Sequence, residues 1–221
     1  GAILSYVKDT QFSDLPHLRP PSLLVKAKTM TLDAVTLRNL EIVKTIGDSS
    51  KDTLFAVLNK TSTAGGSRKL KDWLLRPLHD LDKLNQRHDA VQELFDNTLS
   101  RREIKDILKG FQDVERLLSR LGHGSISPRD LDSLKTSLNT LKDLKQFLSE
   151  EPLKSKLMKR LVKSIDVHKQ VSEKLEEALV EEPPLVLRDG GIFKKGYSEE
   201  LDDLRSRASS GREWVVALES E

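Results

Sequence analysis

The sequence SPRDLDSLKTSLNTLKDLKQFLSE, residues 127–150, decides the fold class of this 221-residue chain. Ser127 followed by Pro128 is typical of a helix start, with the serine as N-cap and the proline at the first helical position. Leucines then recur three and four residues apart, which is the spacing of one face of an α-helix. They are Leu131, Leu134, Leu138, Leu141, Leu144 and Leu148. The stretch predicts one long amphipathic helix, whose apolar face needs other helices to cover it.

Shorter apolar stripes with helical spacing lie on both sides of this helix. Those before it are Leu37 to Ile42, Leu54 to Leu58, Leu70 to Leu74, Leu81–Leu84–His88–Val91–Leu94, Ile104 to Phe111, and Val114 to Leu121, which ends at Gly122. Those after it are Leu153 to Ile165, and Val171 to Leu179, which ends before Pro183-Pro184. Candidate N-caps are Asp33, Asp52 or Thr53, Ser67 and Asp80. This pattern predicts an all-α fold, a multi-helix bundle.

The two ends of the chain read differently from the middle. Residues 1–29 contain three prolines by position 21, which forbid helix continuation, so we expect a lead-in and linker there. The first residue is glycine, and the last helical pattern runs to Glu221 without a stop signal. We therefore expect the chain to be a segment of a longer protein.

One non-helical element interrupts the pattern near the C-terminus. Leu185 to Leu187 predicts a small strand that enters a turn at Asp189-Gly190-Gly191, with Ile192 and Phe193 as its return. After it, Ser198 is a candidate N-cap for a last helix with apolar residues at heptad-like spacing. These residues, the Leu201–Leu218 seam, are Leu201, Leu204, Ala208, Gly211, Val215 and Leu218. A seam of this kind needs a partner to cover it.

Composition excludes several classes of function. Lys and Arg number 37 against 35 Asp and Glu, and a net charge of +2 supplies no global field that attracts nucleic acid or an anionic membrane. Charged residues make up 33% and aromatics 5%, which favours amphipathic helices over an all-β fold. The absence of cysteine excludes disulfides, thiolate zinc sites and cysteine nucleophiles. No apolar run approaches the roughly 20 residues of a membrane helix, so we expect a cytoplasmic protein.

Candidate catalytic and ligand-binding residues do not combine into a known site. The histidines are His17, His79, His88, His123 and His168, and no two have the i, i+4 spacing of paired metal ligands on one helix face. Gly65-Gly66-Ser67-Arg68-Lys69 lacks the Walker spacing of a phosphate-binding loop. Gly122-His123-Gly124-Ser125 lacks a nucleophile elbow and is typical of a helix C-cap. We therefore expect no catalytic, cofactor-binding or metal-ligating residue in this chain.

Clusters of basic residues are the remaining binding candidates. The denser cluster lies within Lys154–Lys163, and a smaller one spans Arg68–Lys71. The dense cluster consists of Lys154, Lys156, Lys159, Arg160 and Lys163. Such residues either contact phosphates through salt-dependent attraction or form a solvated or paired helix face. Acidic residues follow at 173–182, and no aromatic residues that could stack on bases lie between the basic ones. The sequence leaves both interpretations open.

Three further segments of the sequence are distinctive in combination: LDAVTLRNLEI at 32–42, GSRKLKDWLLRPL at 66–78, and LRDGG at 187–191 with GYSEELDDL at 196–204. They closely resemble the core domain of the MutS family of bacterial DNA mismatch-repair proteins. Their order also matches, and the resemblance extends over almost the whole chain. Within them we expect Asp33 to cap a helix, Arg38 and Glu41 to pair, Trp73 with Leu74 to anchor into the bundle, and Gly190-Gly191 to re-aim the chain.

The resemblance implies a domain plan and a function for the parent protein. Residues 1–29 would be the end of a connector and a linker, 30–196 the helical core, and 197–221 the start of a lever helix that leads to a clamp domain outside this chain. The parent would bind mismatched double-stranded DNA, hydrolyse ATP with Mg²⁺, form a homodimer and act with a MutL-type repair protein. This segment lacks the mismatch wedge, the clamp and the Walker loop of the family, so alone it would neither recognise a mismatch nor hydrolyse ATP. Its role would be to couple the ATPase domain to the clamp. The alternative is an unrelated helical interaction scaffold that binds a partner chain through the Leu201–Leu218 seam.

Overall fold

The computed structural model describes residues 5–6, 9–10 and 29–208. This part of the chain is all-α, as the sequence predicts, and it contains no strand. The helices from residue 29 onward are α1 (Ala34–Asn39), α2 (Leu54–Leu58), α3 (Ala64–Leu75), α4 (Leu81–Asp96), α5 (Thr98–Leu108), α6 (Val114–Gly122), α7 (Pro128–Glu150), α8 (Lys156–Ser164), α9 (Lys169–Ala178) and α10 (199–208). Leu187–Asp189 forms a short 3₁₀ turn. Residues 5–6 and 9–10 are also helical.

Polar side chains begin most helices at the predicted positions. Asp33, Thr53 and Asp80 cap α1, α2 and α4, each accepting a backbone N–H three residues further on. α7 begins with a complete capping box, in which Ser127 Oγ accepts the Asp130 N–H at 3.1 Å and the Asp130 carboxylate accepts the Ser127 N–H at 3.0 Å. The longest predicted helix is therefore confirmed from its first residue.

The start of α3 differs from the prediction. Thr63 is its N-cap, and Thr63 Oγ1 accepts the Gly66 N–H at 3.0 Å. The predicted cap, Ser67, lies in the second turn, where its Oγ accepts a hydrogen bond from Asn59 Nδ2 at 3.0 Å. Two glycines in the first turn weaken the helical signal there, which is why the predicted start lies four residues too late.

α7 is the centre of the bundle formed by α4–α9. It packs against α5, α6, α8 and α9. Two buried apolar clusters lie along it, one of Leu117, Leu134 and Leu138 and the other of Ala90, Leu148 and Met158. The leucine seam that predicted α7 thus supplies residues to both clusters.

The core-facing side of α4 differs from the predicted stripe. Leu81 and Val91 are 69% and 65% exposed, and His88 is exposed as well. Ala90, which the predicted stripe did not include, faces the apolar cluster together with Leu94, which it did include. The reason is that α5 and α8 pack on the Ala90 side of the helix, and sequence spacing alone does not choose between two neighbouring stripes.

The linker between α5 and α6 is docked directly on α7. Ser137 is fully buried, and its hydroxyl accepts the Gln112 backbone N–H at 3.0 Å while donating to the Ser133 carbonyl at 2.8 Å. Gly110 approaches α7 so closely that a Cβ there would lie 2.8 Å from Thr140 Oγ1. A side chain at residue 110 would push the linker away from α7.

Residues 29–78, the first lobe, hold α1–α3 beside the bundle. Their ends are joined by an antiparallel bridge between Thr29 and Leu78, and the Met30 N–H donates to the Pro77 carbonyl at 2.7 Å. The predicted pairing of Arg38 with Glu41 is wrong, because the Glu41 carboxylate accepts the Ile46 N–H at 2.7 Å and closes a turn.

The strand predicted at Leu185 to Leu187 is also wrong. Residues 185–186 form a bend and Leu187 begins the 3₁₀ turn, since no neighbouring strand of the described chain is available to pair with them. The predicted turn is confirmed, with φ of +68° at Gly190 and +67° at Gly191. The chain then returns to the end of α9, where Phe193 forms an antiparallel bridge with Leu179.

Candidate functional site

An ion pair joins the first lobe to the bundle. Arg68 on α3 donates from Nη1 to Asp113 Oδ2 at 2.9 Å and from Nη2 to Asp113 Oδ1 at 2.7 Å. Its Nη2 also lies 2.7 Å from Glu115 Oε2. Two parallel hydrogen bonds are the geometry in which a guanidinium holds a carboxylate most specifically. The hydrogen bonds with Arg68 lower the pKa of Asp113, and those with Asp113 raise the pKa of Arg68, so both groups are charged at neutral pH.

A second contact at this junction involves an aromatic ring. The Arg87 guanidinium of α4 lies 3.7 Å above the centre of the Trp73 ring of α3. Burial lowers the pKa of Arg87 from its usual value. Trp73 remains 37% exposed, so it anchors the lobe through this cation–π contact and does not insert into the bundle as predicted.

α10 is fixed to the bundle at its first turn. Ser198 is confirmed as its cap, since Ser198 Oγ accepts the Leu201 N–H at 3.3 Å. Asp202 accepts the Gly196 N–H at 2.6 Å and forms an ion pair with Arg205 at 3.3 Å. Arg205 also donates to the Phe193 carbonyl at 3.1 Å. The direction of α10 therefore depends on the segment that follows the Gly190-Gly191 turn.

The same segment is held to α9. Lys194 Nζ donates to the Glu176 carbonyl at 2.6 Å, and the Lys194 N–H donates to the Ala178 carbonyl at 2.8 Å. The Phe193 ring stacks on Tyr197, with centroids 5.5 Å apart. Together these contacts form a polar and aromatic junction between the bundle and α10.

The predicted seam of α10 is described only in part. Leu201 is half-buried, whereas Leu204 is 55% exposed and Ala208 is exposed. The remaining predicted members, Gly211, Val215 and Leu218, lie outside the described residues.

The two basic clusters have different surroundings. In the smaller one, Arg68 pairs with Asp113 and Glu115, and Lys69 lies 3.7 Å from Asp72. The interpretation as a paired helix face therefore holds for these two residues. In the dense cluster at 154–163 all five basic side chains are exposed, and none forms an ion pair within the described chain.

The glycine-rich and histidine-containing motifs have structural roles. Gly65 and Gly66 lie in the first turn of α3, where Thr63 already accepts the Gly66 N–H. His123 is the C-cap of α6, and Gly124 follows at φ +65°, as expected for a C-cap. His17 lies outside the described residues. Among those described, no three His, Cys, Asp or Glu side chains are grouped to hold a metal ion.

No helix in the described part of the chain is long and apolar enough to span a membrane. The described chain is therefore a helical module in which α3 and α10 are each held to the bundle by polar contacts. Comparison with known proteins agrees with a helical module of this kind. Residues 35–219 match the family model for MutS domain III. The chain therefore belongs to the MutS family, in the part called domain III.

Individual relatives agree with the family match. The chain is 40% identical to the DNA mismatch repair protein MutS of Methanosarcina acetivorans, over 99% of this chain and 25% of the relative. It is 39% identical to the MutS of Alkaliphilus oremlandii, over 99% of this chain and 25% of the relative. The identity to the MutS of Caldanaerobacter subterraneus subsp. tengcongensis is 38%, over 100% of this chain and 25% of the relative. The chain thus spans a quarter of the length of these relatives.

Proposed function

We propose that this chain is the helical core and the start of a lever in a MutS-type DNA mismatch repair protein, and that it couples an ATPase domain to a DNA clamp. The parent binds mismatched double-stranded DNA, hydrolyses ATP with Mg²⁺, forms a homodimer and acts with a MutL-type repair protein in the cytoplasm. The segment alone neither selects mismatched over matched DNA nor hydrolyses ATP, and it supplies no catalytic, cofactor-binding or metal-ligating residue. Its division follows the resemblance: connector end and linker at 1–29, helical core at 30–196, and lever start at 197–221.

The observation that carries this proposal is the junction at the start of α10. Arg205 and Lys194 join this helix to the end of α9, and α9 packs on α7. Packed helices move as rigid bodies between discrete arrangements, so a displacement of the bundle changes the direction of α10. The Arg68–Asp113 ion pair supports the same role, because it links the first lobe to the start of α6 so that the lobe moves together with the bundle.

Family membership favours this proposal over the alternative of an unrelated helical interaction scaffold that binds a partner chain through the Leu201–Leu218 seam. The relatives are DNA mismatch repair proteins by name, and a domain that spans a quarter of their length contributes a part of that activity. A structural link is the part that its contacts favour.

The test is Arg205→Ala in the full-length protein that contains this segment. We expect mismatched DNA to stimulate ATP hydrolysis less than in the wild type, while hydrolysis without DNA is unchanged. The matched control is Arg207→Ala, because Arg207 lies on the same helix but pairs only with Asp203 one turn away. Equal stimulation in the wild type and Arg205→Ala would contradict the coupling role.

A further inference from the structure

α8 presents four basic side chains on one face. Lys156, Lys159, Arg160 and Lys163 follow the i, i+3, i+4, i+7 pattern, so they form a single row along the helix, here called the α8 row. The opposite side contains Met158, which is buried in the bundle, with Leu157 and Val162 beside it. All four basic side chains are exposed, and none forms an ion pair within the described chain.

The α8 row differs from the other charged helix faces in the described chain. On several other helices, cations are paired with acids one turn away, as in Lys69–Asp72, Lys109–Asp106 and Lys169–Glu173. The nine residues of α8 contain no acidic residue. Lys156 with Arg160 and Lys159 with Lys163 are like-charge pairs at i, i+4, which destabilise a helix. This uncompensated repulsion is relieved when an anion binds.

The neighbouring acidic residues do not neutralise the row. Asp82, Asp89 and Asp96 of α4 line a groove whose other side contains Lys154 and Lys156. Glu93, in the same groove, accepts the backbone N–H groups of Lys154 and Ser155 and so caps the start of α8. These α4 residues thus lie at the N-terminal end of the row, and Lys159, Arg160 and Lys163 extend away from that end. Beyond the C-terminal end, Asp166 accepts the His168 N–H at 3.0 Å.

We propose that the α8 row binds the backbone phosphates of duplex DNA without reading its sequence. The four cations span seven residues, about 10 Å along the helix axis, a linear array that suits the regular charge of a DNA strand. No aromatic side chain lies in α8 for base stacking, so the contacts are with phosphates alone. The choice of duplex DNA as the bound polyanion rests on the proposed function, because a mismatch repair protein acts on duplex DNA.

The test measures binding of the chain to a labelled matched duplex by fluorescence anisotropy at several NaCl concentrations. The row variant carries Lys156→Gln, Lys159→Gln, Arg160→Gln and Lys163→Gln. The control variant carries Lys51→Gln, Lys60→Gln, Lys174→Gln and Arg188→Gln, which removes the same charge from exposed, unpaired and scattered positions of the described chain. Glutamine is a good helix former, and circular dichroism checks that helix content is retained.

We expect the wild type to show a slope of log K against log[salt] of about −3 to −4, since each neutralised phosphate contributes about −0.9. The row variant loses at least about tenfold in affinity at low salt, and its slope falls towards zero, whereas the control variant keeps most of its slope. A milder variant with only Lys159→Gln and Lys163→Gln loses about half of the slope, which keeps the test valid if the fourfold variant unfolds. A mismatched duplex binds as tightly as the matched one.

Three outcomes would overturn the inference. Equal losses in the row and control variants would indicate a general charge effect. Binding of polyglutamate at salt concentrations where duplex DNA does not bind would assign the row to an acidic protein partner. A preference of more than about tenfold for the mismatched duplex, or about 1.4 kcal/mol, would mean that bases are read. The coupling role is judged separately by the Arg205→Ala experiment, which does not depend on these slopes.

Discussion

The Ser137 hydroxyl accepts the Gln112 backbone N–H at 3.0 Å in the interior of the bundle. This bond docks the linker between α5 and α6 on α7. We predict that Ser137→Ala lowers the free energy of unfolding by about 1–2 kcal/mol, because it removes the buried hydroxyl that accepts the partly buried Gln112 N–H. Urea denaturation measures this change.

The control for this substitution lies on the same helix. Ser149 also donates its hydroxyl to the carbonyl one turn earlier, at 2.7 Å, but it is exposed and accepts no linker N–H. Ser149→Ala is expected to change stability by less than about 0.5 kcal/mol. Equal losses in the two variants would show that linker docking contributes nothing.

The close approach of Gly110 to α7 gives a second prediction. Gly110→Ala places a methyl group against Thr140 Oγ1 and is expected to cost about 1–3 kcal/mol of stability. In a Thr140→Ala background the obstructing atom is gone, so the added cost falls below about 1 kcal/mol. A double-mutant cycle in urea measures this coupling, and additive losses would contradict the predicted clash.

The acid sensitivity of the lobe–bundle junction follows from Asp113. The Arg68 hydrogen bonds hold the pKa of Asp113 below its ordinary value, which is also the value in the unfolded chain. The pair therefore stabilises the fold above about pH 4 and is lost as the pH falls through the lower pKa of the folded state. Asp113→Asn retains a residue that caps α6 but removes this charge, so thermal stability should depend less on pH between about 5 and 2.

A matched carboxylate provides the control for this pH dependence. Asp89 is exposed on α4 and forms no ion pair within the described chain. Asp89→Asn should leave the profile of melting temperature against pH unchanged. If Asp113→Asn and Asp89→Asn give the same profile as the wild type, the junction does not contribute to acid unfolding.

The chain is expected not to bind ATP. The amide of Gly66 is already bonded to Thr63, and the glycines belong to a helix turn and not to a phosphate-binding loop. Calorimetric titration with ATP and Mg²⁺ should give no saturable heat. Binding in the micromolar range, about −8 kcal/mol, would mean that a nucleotide site lies in this chain.

The exposed start of the Leu201–Leu218 seam predicts weak, concentration-dependent self-association. Leu204 is 55% exposed, and covering such a side chain contributes about 1.5–3 kcal/mol. Light scattering should detect this association in the wild type and its loss in the double variant Leu204→Glu with Leu218→Glu. Leu185→Glu is the control, because it replaces an exposed leucine outside the seam. A wild type that stays monomeric at every concentration contradicts the prediction.

Local signals in the sequence predicted local features of the fold. The caps at Asp33, Asp80 and Ser127 and the leucine spacing of α7 are read within one or two turns, so they do not depend on the rest of the chain. The turn at Gly190-Gly191 is of the same kind, because its positive φ angles need glycine.

Features that depend on distant residues could not be read in this way. Arg68 and Asp113 are 45 positions apart, and no pattern in the sequence pairs them. The exposed side of α4 is decided by where α5 and α8 pack, and the strand expected at Leu185 to Leu187 is missing for lack of a pairing strand. The α8 row was predictable only in part. The spacing of its basic residues can be read from the sequence, whereas the lack of ion pairs to them depends on which residues the fold places nearby.

The position of α7 also determines how the molecule unfolds. Leu138 and Leu148 belong to different apolar clusters, about 15 Å apart along one helix. Because α7 supplies residues to both clusters, melting α7 removes part of each, and we expect α4–α9 to unfold as one cooperative unit. The first lobe has Ile42 as its one buried apolar residue in the described chain, which leaves it free to open before the bundle does.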